Sequence, residues 1–298
     1  MNNKEIQRNF IIGDAWNYFK VYTGFKTADA ILTGSIDPLV NSLITNKIID
    51  KWFFIRYSDP KFHLRIRFHV NDPNHAPAVM MNFNQAITQH VQNQLIWKVQ
   101  ADTYSRELER YGTDTMELSE TLFWHDSEMI IKVIAFDKVK QDENLRWLLG
   151  LKMIDILLDD FGFSLSEKCN LLNTLQENFG KEFGINAESR RQFGSKYRNE
   201  KAKIEKILDK NSEQDEEYSS LFKPVFEKSE ASKSIIKEIR NKITTTTTPP
   251  LNDLLSSYIH MTLNRLFRTQ QRMHELVLYD YLFRYYNSLQ ARQKVMNN

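Results

Sequence analysis

The 298-residue chain has a single cysteine, Cys169, which excludes an internal disulfide framework and any zinc site built on several thiolates. Glycine is scarce, with nine residues, and no GxGxxG or GxxxxGK[ST] loop is present to cradle a phosphate. HExxH, CxxC and the GxSxG elbow are also missing. No run approaches the roughly 18 apolar residues of a membrane span, and the opening MNNKEIQRNF lacks the apolar core of a secretion signal. Lys plus Arg is 40 against 38 for Asp plus Glu, a net of +2, so no global field draws the chain toward nucleic acid or membrane. His63, His69 and His125, the last beside Asp126, lack the dense His–carboxylate spacing of a metal site. These absences predict a soluble, cytoplasmic protein without metal, cofactor, membrane or direct nucleic-acid partner.

What is present is a high aromatic content and a change of periodicity along the chain. WNYFKVYTG (16–24), KWFFIRY (51–57), FHLRIRFHV (62–70) and IWKVQADTY (96–104) read as strands, the middle two joined by SDPK. TADAILTGSIDPLVNSLI (27–44) reads as a helix interrupted near Pro38, and APAVMMNFNQAITQHVQNQL (76–95) as a second helix. From Asp114 the apolar residues recur at three-and-four spacing, one helix closes at Gly162, and SLSE (164–167) is a capping box for the next. The fold class is α+β: a mostly antiparallel sheet in the N-terminal part packed with helices, and a helix-rich C-terminal half. One domain spans 1–298, with an α+β part (1–113), a helical part (114–186), a charged peripheral insertion and linker (187–250) and C-terminal helices (251–298). The acidic break NSEQDEE (211–217) and the TTTTTPP linker (244–250) lie in the third part.

Three constellations carry chemistry. On FHLRIRFHV, alternation puts Leu64, Ile66, Phe68 and Val70 on one face and His63, Arg65, Arg67 and His69 on the other, with no carboxylate among them. A solvated strand edge or an ion-pair network explains such a face as readily as a binding surface. In YSRELERYG (104–112), Glu107 and Arg110 are three apart and can pair on one helical turn, flanked by Tyr104 and Tyr111. In YIHMTLNRLF (258–267), His260 and Asn264 share a helix face beside Arg265, although a lone helix histidine is most often structural. Basic residues beside aromatics could also stack RNA bases, which the near-zero net charge disfavours.

KWFFIRYSDPKFHLRIRF, YSRELERYG, ETLFWHDSE and HMTLNRLF, in this order, resemble the C-terminal domain of lantibiotic dehydratases, which also exists as a standalone protein in thiopeptide-type bacteriocin biosynthesis. WNYFKVYTGFKTADAIL fits the standalone members, and the resemblance covers nearly the whole chain, most weakly over 187–250. It implies a lyase that eliminates glutamate from glutamylated Ser or Thr of a ribosomal precursor peptide, leaving dehydroalanine or dehydrobutyrine. At this length the chain would be the elimination half of a split dehydratase. Its partners would be the precursor peptide and a glutamylating subunit, with a cyclase and a second copy of the chain as further candidates. The resemblance implies catalytic roles for Arg67, Arg110, His260 and Glu107, and substrate contacts from Arg65, His63, His69, Arg56, Tyr111, Asn264 and Arg265. Where the family motif continues with a second glycine after Gly112, this chain has Thr113. Guanidiniums suit a departing carboxylate and imidazole suits α-proton abstraction, while Glu107 either orients Arg110 or is itself the base. Two other readings compete: a [4+2] cycloaddition forming the pyridine core of thiopeptides, and a non-catalytic subunit that delivers the precursor peptide.

Overall fold

The computed structural model describes residues 6–136, 139, 142, 144–209, 218–243 and 249–296. A two-residue strand β1 (Asn9–Phe10) leads into β2 (Trp16–Thr23), whose side chains are buried on both faces because it lies inside the sheet. α1 (Phe25–Ile31) runs through a wide π-turn (Leu32–Ile36) into α2 (Asp37–Thr45). The irregularity expected near Pro38 is this turn just before it: the backbone stays helical through it, and Pro38 has no N–H to give to the preceding turn. β3 (Lys51–Tyr57), β4 (His63–His69), α3 (Ala76–Gln92) and β5 (Ile96–Asp102) follow. The sheet order is β3-β4-β2-β5, antiparallel throughout.

The register assigns two sheet faces. Phe53, Arg67 and Tyr18 are cross-strand neighbours, as are Ile55, Arg65, Lys20 and Gln100. On the opposite face Phe54, Ile66 and Phe19 align, and α3 stacks Phe83 against Phe19 at 4.4 Å. The β6 strand (Tyr104–Ser105) pairs with β1 and leads into a single helical turn, α4 (Leu108–Tyr111), closed by Gly112 at φ +74°.

The C-terminal half is helical: α5 (Met116–Ala135), α6 (Leu145–Asp160), α7 (Leu165–Glu182), α8 (Ala187–Leu208), α9 (Ser219–Ile243), α10 (Leu251–Leu266) and α11 (Gln271–Met296). Gly162 adopts φ +73° after α6, and Ser164 and Glu167 exchange both hydrogen bonds of the capping box at the start of α7. The expectation of a peripheral insertion over 187–243 is corrected: α9 buries Leu221, Phe222, Val225, Ile236 and Ile239 against α5 and α6, as deeply as any core residue. Its apolar residues keep helical spacing within a Lys-rich stretch, and Lys228 turns inward to pair with buried Asp126 at 3.2 Å. The breaks at 211–217 and 244–248 lie outside the described residues. No helix among the described residues is long and apolar enough to cross a membrane.

Candidate functional site

Arg67 projects from β4 into a cage of three rings. Its guanidinium carbon lies 4.4 Å from the Tyr18 centroid, 4.8 Å from Tyr104 and 5.0 Å from Phe53. Only 7% of the residue is exposed, and Nε and one terminal nitrogen have no hydrogen-bond partner among the described residues. Burial lowers its pKa from the ordinary arginine value; the Tyr18 and Tyr104 phenols and the Glu107 carboxylate pull the other way. A guanidinium in this state is costly to keep, because cation–π contacts replace only part of its hydration. The Tyr104 wall of the cage is fixed from behind: its hydroxyl donates to fully buried Glu120 at 2.9 Å, which also takes two bonds from Arg106.

Glu107 and Arg110 pair across the α4 turn at 3.1 Å, both side chains about half exposed. Arg110 lines a cavity of about 190 Å³ with His260, Ser256, Arg272 and Glu275. His260 sits on α10, and its Nδ1 lies 2.9 Å from Oε1 of Glu275 on α11. Glu275 is fully buried and also accepts from the Gln271 amide, whose nitrogen reaches the His260 carbonyl oxygen at 2.9 Å. A carboxylate beside Nδ1 selects the Nδ1–H tautomer and leaves Nε2 with the lone pair. The cavity therefore combines a proton acceptor with the Arg110 guanidinium. A chain of rings connects it to the Arg67 cage: Phe53 to Phe123 at 5.4 Å, Phe123 to Tyr111 at 5.1 Å, and Tyr111 stacked on Tyr258 at 5.9 Å. Tyr258 lies two residues before His260 on α10. Burial pushes the Tyr111 phenol up, so it remains a neutral wall rather than a base.

The remaining predicted residues are placed differently. His63 is fully buried; Lys61 O accepts from its Nδ1, Arg65 Nε donates to its Nε2, and Tyr22 stacks on its ring at 4.6 Å. Burial lowers its pKa, so it is a neutral, packed ring. Arg65 lies 3.4 Å over the Tyr57 ring, half-buried. His69 pairs with Asp50 at 2.6 Å. The four basic side chains therefore do not form one open floor.

Arg56 and Arg265 are structural. Arg56 binds Asp29 at 2.6 Å and the Arg265 carbonyl at 2.9 Å. Arg265 is completely buried, donating to Phe54 O at 2.8 Å and Met261 O at 2.9 Å. The Asn264 amide brackets Arg56, accepting from its N–H and donating to its C=O, both at 2.9 Å, while Ser127 accepts from Phe54 N. These side chains seal the outer edge of β3 as a further strand would.

The sequence reading missed Glu275. The available signal was its position on the stripe Glu275, Tyr279, Leu282, Tyr286, a carboxylate in line with apolar residues at four-three-four spacing. A larger cavity of about 560 Å³ opens between α6, α8 and α11, where His274 stacks on Phe267 at 4.0 Å; it contains none of the predicted site residues.

The chain belongs to the family described as lantibiotic biosynthesis dehydratase C-term, whose model matches residues 16–286. It is similar to the subtilin biosynthesis protein SpaB of Bacillus subtilis, 27% identical over 56% of this chain and 16% of that protein. It is also similar to the nisin biosynthesis protein NisB of Lactococcus lactis subsp. lactis, 30% identical over 44% of this chain and 13% of that protein. These matches span less than a fifth of either relative. Among solved structures, the tRNA-dependent lantibiotic dehydratase MibB from Microbispora sp. 107891 shares the fold with a TM-score of 0.72 at 22% identity, over 94% of this chain and 29% of that one. The pyridine synthase TbtD from thiomuracin biosynthesis shares it at 0.62 and 11% identity, over 90% and 97%.

Proposed function

We propose that this chain eliminates glutamate from glutamylated Ser or Thr of a ribosomal precursor peptide, with the glutamyl group installed by a separate polypeptide. The observation that carries the reading is the His260–Glu275 pair facing the same cavity as Arg110. His260 Nε2 takes the α-proton, the Cα–H electrons form the Cα=Cβ bond, and the Cβ–O bond breaks with its pair leaving on the glutamate carboxylate. Developing charge on that carboxylate is stabilised by Arg110, and Arg67 supplies a second guanidinium, two of whose nitrogens have no hydrogen-bond partner among the described residues. Glu275 is a positioning residue, holding the tautomer that leaves Nε2 free. Glu107 ties the two arginines together through its charge and orients Arg110.

The test is a synthetic peptide carrying O-glutamyl serine. Wild-type protein should release free glutamate and leave dehydroalanine, read by mass spectrometry, and His260→Ala and Arg110→Ala should leave the ester intact. Release at the normal rate by both variants would overturn the assignment. Consumption of a doubly dehydrated peptide into a pyridine, without glutamate release, would place the chain among cycloaddition enzymes instead.

A further inference from the structure

From Pro73 through Trp97 there is no Asp, Glu, Lys or Arg, in a chain with 26% charged residues. This stretch includes all of α3, an amphipathic helix whose outer face solvent would normally stud with charges. Met80, Met81, Val91, Leu95, Trp97 and Val99 are all exposed, Met81 at 72% and Trp97 at 54%. Between α3 and β5 lies an open groove of about 700 Å³, floored by Phe83 and Ile87 and rimmed by Met80, Val91, Trp97 and Val99. Along its side, β5 is an end strand: it pairs with β2, and no described strand lies beyond it.

We infer that this edge and groove bind an extended, uncharged segment of the substrate peptide by strand addition. The outward peptide groups of β5 form a ladder, and only a backbone in extended form matches their spacing. Alternate side chains of the added strand would enter the groove, where Met and Trp provide adaptable apolar contact. Lys98 is the one charged residue lining the groove, so an occupant carrying several charges would lose hydration here without gaining matching counter-ions. Concavity disfavours a second copy, because two grooves facing each other across a two-fold axis leave a void between them.

The other side chains of the added strand would fall on the face carrying Lys98, Gln100, Lys20, Arg65 and Arg67. At about 4.8 Å per strand, the added chain lies roughly 14 Å from β4, beyond the reach of one side chain. The docked segment is therefore an anchor, and the residue undergoing elimination lies elsewhere in the same peptide. That last step rests on the elimination reading; the binding itself does not.

Fluorescein-labelled ten-residue peptides alternating Ser or Thr with Val or Leu serve as the probe, read by fluorescence anisotropy, with amide hydrogen exchange of 97–101 in parallel. Binding should protect those amides, weaken at least tenfold when alternate peptide nitrogens are methylated, and weaken at least tenfold in Trp97→Lys and in Val99→Lys. Joined to an O-glutamyl-serine peptide, the same segment should lower KM in wild type only, with kcat for the short peptide unchanged in both variants. No anisotropy change up to about 1 mM peptide, or equal binding of the methylated peptide, would overturn the inference. So would a wild-type dimer in sedimentation that Trp97→Lys dissociates, because the face would then belong to a second copy. If the short ester is not cleaved but binding holds, the elimination reading fails and the docking edge stands.

Discussion

The Nδ1 of His260 is held 2.9 Å from a carboxylate oxygen of Glu275, and that carboxylate has no exposed surface. Two helices joined by a short turn bring together an imidazole and a carboxylate fifteen residues apart in the chain. Replacing Glu275 with Gln preserves the shape but lets the side-chain amide donate to Nδ1, favouring the tautomer in which Nε2 carries the proton. Glutamate release should fall about a hundredfold in kcat, with KM little changed. Single-turnover assays measure the split, and an equal loss in Tm and KM would indicate a merely structural carboxylate.

Arg67 has the opposite profile. Its guanidinium is buried with two nitrogens that find no partner among the described residues, so Arg67→Met removes a costly charge and keeps the stem packed among Tyr18, Phe53 and Tyr104. Stability should be unchanged or rise by about 1–2 kcal/mol in urea unfolding, while elimination is lost. A variant that is both unstable and active would sink this account.

Asp29 anchors Arg56, Arg146 and Arg268 at 2.5–2.7 Å. Burial pushes its carboxyl up, but the three guanidiniums outweigh that and hold it below the ordinary carboxylate range. As pH falls, the unfolded chain takes up this proton first. The stabilisation is thus complete above about pH 4, where a free carboxyl titrates, and is lost as pH drops through the depressed folded value. Asp29→Asn should cost about 3–5 kcal/mol at neutral pH and flatten the acid limb of the stability curve, measured by urea midpoints between pH 6 and 2.5.

Arg265→Met should destabilise by about 2–4 kcal/mol, because two backbone carbonyls and Asp126 lose a buried donor. Its residual activity, corrected for the folded fraction by circular dichroism, should equal that of wild type. A raised KM in the folded fraction would restore Arg265 to the substrate.

The four sheet strands were legible because alternation, aromatics and turn residues agree locally, and the Ser164 capping box because its chemistry spans four residues. Arg110 and His260, singled out by their motifs, line one cavity. Arg56 and Arg265 were named as substrate contacts through the resemblance, and the sequence gives no sign of their buried partners, which lie as much as 211 residues away. Glu275 could be suspected from its place on an apolar stripe, but only the meeting of two helices shows that its carboxylate has a histidine to hold. The α9 helix was taken for an appendage because lysines on one face masked the apolar stripe on the other.

The closed flank at β3 also limits what the open one can do. Its peptide groups at Phe54 and Arg56 are occupied by Ser127, Asn264 and Arg265, so a molecule that accepts a visitor at β5 offers no free ladder along this part of its far end. Head-to-tail stacking of sheets needs two receptive ends, and fibre growth by this route stops after a single addition. Opening that end, as Asn264→Ala would, should convert an adhesive but self-limiting surface into one prone to polymerise.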